Sequence, residues 1–357
     1  MIILERPIIN KEMIEAAVYS LENEFPLFGE SVTKFEEEFA RYCNTDYAVS
    51  TASGTDALLF SLLALGAKKV VTTPASYIST ANAAHLAGGK ALFADIDGTN
   101  NIGPAEIRKK RFDTILPVHL HGYPAKMDEI MEIAGKRGAA VVEDACQAHG
   151  AVYHGKRAGS IGHVGCFSFN PVKNMTVAGQ GGMAVTNDEK LAKKIRMLAD
   201  TGRENIYSHE HRIIGYSSRL CSAAAAIGRI QLKYLDSWNE KRRKAAREYA
   251  KLLESSILPP LETKEIKPVY NKFAIRVRNR DRIKEYLLDN EVECDAHYPV
   301  PIHLQKPYKN QRLKLKNAEK FAKTTLSIPM HPRITTEDIR IVAALLEDQV
   351  TSILSSG

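Results

Sequence analysis

Gly165-Cys-Phe-Ser-Phe-Asn-Pro-Val-Lys-Asn-Met-Thr-Val-Ala-Gly-Gln-Gly-Gly182 is the stretch on which the reading of this chain turns. An apolar, β-prone run from Val164 to Phe169 carries Ser168 and delivers Lys173 five residues later. Glycines follow at 179, 181 and 182, and the next strand begins at Met183. A lysine in a glycine-bounded turn between two buried strands is an unusual structural choice. An ammonium group deprived of water gives up its proton more readily, and the neutral amine adds to an aldehyde as a Schiff base. Most lysines are solvated surface charges, so this one decides nothing alone.

Its upstream partner sharpens the proposal. Ala139-Ala-Val-Val-Glu-Asp-Ala145 reads as a buried parallel strand that ends in carboxylates, with Gln147 three residues beyond Asp144. In open α/β sheets, ligands lie outside the carboxyl ends of the strands. An aspartate placed there can keep a pyridine nitrogen protonated, so that the ring accepts electrons released at a substrate carbon. The ordinary alternative for Asp144 is a cap on the following helix. Apolar strands alternate with helices on either side: strands at 47–51, 69–73, 91–96 and 113–120, and helices through Leu65 and over 104–110, 127–137 and 189–199. That alternation predicts an α/β fold with a mainly parallel sheet.

Helical spacing of Ile14, Ala17 and Leu21 predicts a helix over 11–23, and Val32, Phe35, Phe39 and Tyr42 form a second stripe read as core. Beyond Gly182, a helix over 223–235 and a charged helix to about Ser255 lead into Ile257-Leu-Pro-Pro260, read as a linker. This divides the chain into 1–256 and 257–357. The second part is expected to be α+β, with strands over 272–277 and 292–298 and helices over 281–290, 317–323 and 336–346.

Ser53-Gly-Thr-Asp-Ala57, Pro74-Ala-Ser-Tyr-Ile-Ser-Thr-Ala-Asn82, Glu143-Asp-Ala-Cys-Gln-Ala-His-Gly150 and Ser168-Phe-Asn-Pro-Val-Lys-Asn174 occur in the order and approximate spacing of the DegT/StrS sugar aminotransferases. The chain resembles that family from about Leu4 to its last helix. The resemblance implies fold type I of the enzymes that use pyridoxal 5′-phosphate (PLP), with a seven-stranded sheet in the large domain. It implies a ping-pong aminotransferase that converts a nucleotide-linked keto sugar to an amino sugar through a Schiff base on Lys173, with L-glutamate as donor and Asp144 at the pyridine nitrogen. Gly54, Thr55 and Ser168 would cradle the phosphate, at a helix N-terminus whose free N–H groups and dipole favour an anion. Capping serines and threonines are common at helix starts in any case. Tyr77 would stack on the pyridine ring, and Gln147 would reach its phenolic oxygen.

The resemblance also implies a homodimer with shared sites. The polar, poorly periodic loop 201–218 corresponds to a turn that enters the neighbouring subunit's site, where Ser217 stands at a position commonly held by a phosphate-contacting asparagine. Cys221 and Ser222 likewise depart from the family's polar-then-acidic pair. His119 is read either as a substrate contact or as a hydrogen-bonded structural histidine. His303, in a loop His297-Tyr-Pro-Val-Pro-Ile-His303 that resembles the family's cover over the substrate, is a candidate substrate contact. Two alternatives stay open: a PLP-dependent sugar dehydratase or lyase, whose family members carry histidine in place of Lys173, and a non-catalytic ligand sensor.

Composition bounds these expectations. The 357 residues are 44% hydrophobic and 25% charged, and a net charge of +7 is spread along the chain without an aromatic-interleaved basic stripe. Nucleic acid is therefore not an expected partner. Five cysteines without close pairing argue against a disulfide framework or a metal site and fit a reducing cytoplasm. Charges begin too early for a signal peptide, and the apolar run 57–67 is too short to cross a bilayer.

Overall fold

The structure is a computed structural model, which describes residues 1–355. The first half alternates as the sequence predicts. Helices α1 (Lys11–Asn23) and α2 (Glu30–Cys43) precede β1 (Tyr47–Thr51), α3 (Gly54–Leu65), β2 (Lys69–Thr72), α4 (Ser79–Leu86) and β3 (Lys90–Phe93). Then come α5 (Pro104–Arg108), β4 (Thr114–Leu116), α6 (Met127–Arg137), β5 (Ala140–Asp144) and a small pair of strands, β6 (Val152–Tyr153) and β7 (Lys156–Arg157). β8 (Val164–Ser168), β9 (Gly182–Thr186), α7 (Glu189–Ala199) and α8 (Ser222–Leu252) follow. The remainder comprises β10 (Ile266–Lys267), β11 (Phe273–Arg276), α9 (Arg280–Asp289), α10 (Lys316–Thr324), β12 (Thr325–Ile328) and α11 (Thr336–Ser355).

Seven strands form one sheet in the order β1-β9-β8-β5-β4-β2-β3. Only β9 runs against its neighbours, so the other six point their carboxyl ends to the same edge. The strands are buried because helices cover both faces, as parallel sheets require. α3 buries Leu58, Leu59, Phe60 and Leu62 on one side, and the α2 aromatics Phe35 and Phe39 meet Phe167 and Phe169 of the β8 segment on the other. The α2 stripe is thus core, as its spacing predicts. Gly182 fits a tight passage beside β1: a Cβ there would lie 2.2 Å from the Ser53 carbonyl oxygen.

Two expectations change, and one helix turns its apolar residues outward. The two helices expected between 223 and 255 are one 31-residue helix, α8. Residues 292–298 do not form a strand; Val292 bridges Ile2 and Asp295 bridges Ser327 as isolated pairs. β11 pairs instead with β12, whose four residues are all buried. Finally, α1 turns Ile14, Val18 and Leu21 outward, Leu21 being 70% exposed, because Met13 and Ser20 make its buried face.

A separate apolar cluster gathers Tyr249 of α8 with Phe273, Ile283, Leu326 and Leu346. The N-terminal residues strap onto this part of the chain. Ile2 N–H donates to the Glu291 carbonyl, Glu293 N–H donates to the Ile2 carbonyl, and Met330 N–H donates to the Leu4 carbonyl. No helix among the described residues is long and apolar enough to cross a membrane.

Candidate active site

The carboxyl edge of the sheet opens into a cavity of about 550 Å³, within the range of small-molecule sites. The loops after β1, β2, β5 and β8 bring Gly54, Thr55, Tyr77, Asp144, Gln147, Ser168 and Lys173 to its wall. Seven of the expected site residues, spread over 120 positions of sequence, therefore converge. Lys173 is half-buried and sits in the turn after β8, where its N–H donates to the Asn170 carbonyl.

Asp144 ends β5 and is 4% exposed. Its Oδ2 accepts a 2.7 Å hydrogen bond from Thr80 Oγ1, and its Oδ1 accepts one of 3.2 Å from the Cys146 N–H. Thr80 is in turn 2.8 Å from Ser76 Oγ. Both carboxylate oxygens are therefore held, and the alternative reading as a helix cap does not apply, because β6 and not a helix follows β5. Gln147 spends its Oε1 on the His121 N–H at 2.8 Å, and its Nε2 donates to Tyr298 Oη at 3.3 Å.

Ser53 caps α3 by accepting the Asp56 N–H at 3.1 Å. The N–H groups of Gly54 and Thr55, in the first turn, have no intrahelical acceptor and face the cavity end of the helix. Gly54 lets this turn approach β8 closely: a Cβ would stand 2.6 Å from Ser168 Cβ and 2.9 Å from Cys146 Sγ. Tyr77 is 57% exposed at the mouth, its ring 5.9 Å from that of Tyr298.

Three candidates lie elsewhere. His119 is fully buried; its Nε2 is 2.8 Å from Glu143 Oε2, and its Nδ1 accepts the Ala125 N–H at 3.0 Å. Of its two readings the structural one fits, since both ring nitrogens are used within the framework. His303 is also buried away from the cavity, 3.3 Å from Glu319, because the short helical turn 302–304 packs it into the core beside Phe93. The loop 297–303 does reach the cavity, but through His297 and Tyr298, not His303. Ser217 is exposed, accepts a 2.8 Å bond from Arg219 and does not line this chain's cavity.

Sequence reasoning missed Glu5, Thr80, Asn271 and Lys272, all on the wall. Thr80 carried a signal, since it falls within the 74–82 motif. The other three come from the N-terminal strap and the approach to β11, which no local pattern connects to Lys173. Burial makes His297 on the wall and its neighbour His121 poor bases: His121 is pushed down to about 3 and His297 to about 4, with nearby cationic and imidazole groups adding to the effect. Burial likewise raises the Tyr298 hydroxyl and the Cys146 thiol.

The wall fits a phosphorylated pyridine aldehyde. It offers a lysine for the aldehyde, a carboxylate held by two hydrogen bonds, and a helix N-terminus opened by Gly54 with Ser168 beside it for an anion. Fold and cavity together define an aminotransferase of the PLP-dependent type. The model of the DegT/DnrJ/EryC1/StrS aminotransferase family matches residues 7–347, and the chain belongs to that family. It is 37% identical over 330 residues to the pleiotropic regulatory protein of Geobacillus stearothermophilus, covering 88% of each chain. It is 38% identical over 334 residues to dTDP-3-amino-3,4,6-trideoxy-alpha-D-glucose transaminase of Streptomyces venezuelae, covering 90% of this chain and 88% of that one. The solved structure of S. venezuelae DesV in complex with a ketimine intermediate superposes with a TM-score of 0.91 at 36% identity, over 95% and 94% of the two chains.

Proposed function

We propose that this chain transfers an amino group from L-glutamate to a keto sugar carried on a nucleoside diphosphate, with PLP as cofactor and ping-pong kinetics. The observation that carries this is the convergence of Lys173 with an Asp144 carboxylate held by Thr80 and the Cys146 N–H. PLP, when bound, supplies an electron sink for the bond broken at the amino-bearing carbon. Lys173 would hold the cofactor and would move a proton as base and as acid. Asp144 would keep the pyridine nitrogen protonated. Gly54, Thr55 and Ser168 would hold the phosphate, Tyr77 would stack on the ring, and the Gln147 amide would donate to the phenolic oxygen. The transaminase names among its relatives support the sugar substrate.

The same reading makes the protein a homodimer in which Ser217 serves the neighbouring site. The outward apolar face of α1 and the exposed Ser217 support it. It also divides the chain at 256/257, supported by the separate apolar cluster, and places it in a reducing cytoplasm, supported by five free cysteines. A second reading, a ligand sensor that binds PLP without turnover, is favoured by the regulatory name of one relative.

The visible spectrum with PLP tests both. A band that bleaches with L-glutamate and returns with 2-oxoglutarate establishes the donor half-reaction. A stable band indifferent to glutamate favours the sensor. No band removes the assignment of Lys173.

A further inference from the structure

A buried ion pair on the cavity wall has no part in the chemistry assigned above. Lys272 Nζ pairs with Glu5 Oε2. The Lys272 side chain is 6% exposed and that of Glu5 21%. Two hydrogen bonds hold this lysine beside the reaction centre: Asn271 Nδ2 donates to the Val172 carbonyl at 3.2 Å and to Asn174 Oδ1 at 3.1 Å, gripping the residues on either side of Lys173. A third, from the Asn271 N–H to the His121 carbonyl at 2.9 Å, ties it to the loop after β4.

An inventory of charge on the wall assigns the pair a task. The described lining residues offer two ammonium groups, Lys173 and Lys272, and two carboxylates, Glu5 and Asp144. Lys173 and Asp144 are committed to the cofactor. His297 is neutral near pH 7, being pushed down to about 4. An amino acid donor brings at least one carboxylate into this space, and burying it unpaired is costly. On this wall Lys272 is the cation left to meet it. Glu5 is the more solvent-reachable partner, carried on the N-terminal strap, so it can return to water when a substrate oxyanion arrives. Lys272 cannot. Desolvation already depresses its pKa, and an unpaired ammonium there would be strongly disfavoured.

We propose that Lys272 receives a carboxylate of the bound substrate, in exchange for its resting counter-ion Glu5. The proposal rests on the aminotransferase reading. The carboxylate can belong to the amino donor or to a uronic sugar; the chemistry of capture is the same.

The test uses the PLP-loaded full chain and calorimetric titration with glutarate, an unreactive dicarboxylate, and with UDP-glucuronate against UDP-glucose. Lys272→Gln should weaken binding of the carboxylate probe about ten- to a hundredfold, the scale of one charge-assisted hydrogen bond. Lys272→Arg should restore most of it. Glu5→Gln, which removes the competing carboxylate, should tighten it. A merely structural pair would move Lys272→Gln and Glu5→Gln in the same direction. Dependence on Lys272 for glutarate identifies the donor's carboxylate, and dependence for UDP-glucuronate alone identifies the sugar's. Indifference of both probes to Lys272→Gln, or parallel shifts in the Gln variants, overturns the proposal. If glutarate binding follows Lys272 while L-glutamate never bleaches the wild-type band, carboxylate capture stands and the aminotransferase reading falls. If the band bleaches normally and binding ignores Lys272, the reverse holds.

Discussion

Thr80 Oγ1 lies 2.7 Å from Asp144 Oδ2, donating from the loop-and-helix segment after β2 to the carboxylate that ends β5. The two strands are separated in the sheet by β4. This bond helps to fix the direction of the carboxylate proposed to meet the cofactor. Thr80→Val keeps the side chain's shape and removes the donor. Turnover should fall about ten- to a hundredfold, as expected for a lost hydrogen bond to a charged group. The thermal midpoint should stay within a few degrees. Unchanged kinetics would show that Cys146 N–H alone suffices to aim Asp144.

Lys173→Ala should abolish turnover and the lysine-dependent visible band while leaving the fold intact, because the side chain is only half-buried and no described hydrogen bond depends on its amine. Retained turnover, measured as 2-oxoglutarate release from glutamate, would defeat the assignment.

Gly54→Ala should both destabilise the protein and loosen the cofactor. Its Cβ would meet Ser168 Cβ at 2.6 Å, so α3 and β8 must separate. Overpacking of this kind costs about 1–3 kcal/mol. Thermal melting without cofactor reads the first effect and PLP titration the second; a normal PLP affinity would remove the α3 terminus from the phosphate site.

Acid should weaken the fold through its buried histidines. His121 and His149 are pushed down to about 3 and His297 to about 4, chiefly by burial, against an ordinary value of 6.5. Below about pH 6.5 the unfolded chain takes up protons that the folded chain refuses. This stability is therefore complete above that pH and is lost as pH falls toward 4, by up to about 1.4 kcal/mol per pH unit for each group. His149 packs against Phe167 and Phe169, so His149→Phe should flatten the slope of thermal midpoint against pH between 6.5 and 4.5. An unaltered slope would acquit that histidine.

If the proposed homodimer uses the outward face of α1, Leu21→Asp should split it and lower activity, with little effect on the fold of each chain. Sedimentation at micromolar concentration checks this, and a fully active monomeric wild type would dismiss the shared site.

Much of the site was legible because its chemistry sits directly after strands. Asp144 and Lys173 each follow an apolar run that can only be buried, so their place at the sheet edge follows from the pattern. Lys272 and Glu5 gave no such sign; packing of the N-terminal strap against a segment 267 positions later joins them. The strand expected over 292–298 fails for a related reason. That run reaches the small sheet only through the single Asp295–Ser327 bridge to β12, while 325–328 takes the full ladder with β11. The first is left irregular, carrying His297 and Tyr298 to the cavity. The α1 spacing gives the helix over 11–23 correctly, but helical spacing reports an apolar face without saying what covers it.

The N-terminal strap inverts the order in which the cavity is made and finished. Leu4 is held by Glu293, a partner 289 positions later in the chain. During synthesis, the segment bearing Glu5 therefore leaves the ribosome long before its anchors exist, and the cavity wall closes only when nearly the whole polypeptide has emerged. The strap's hold begins at Ile2, whose N–H donates to the Glu291 carbonyl, so a purification tag fused ahead of Met1 loads this last-closing piece directly. A tag at the opposite terminus leaves this last-closing piece untouched.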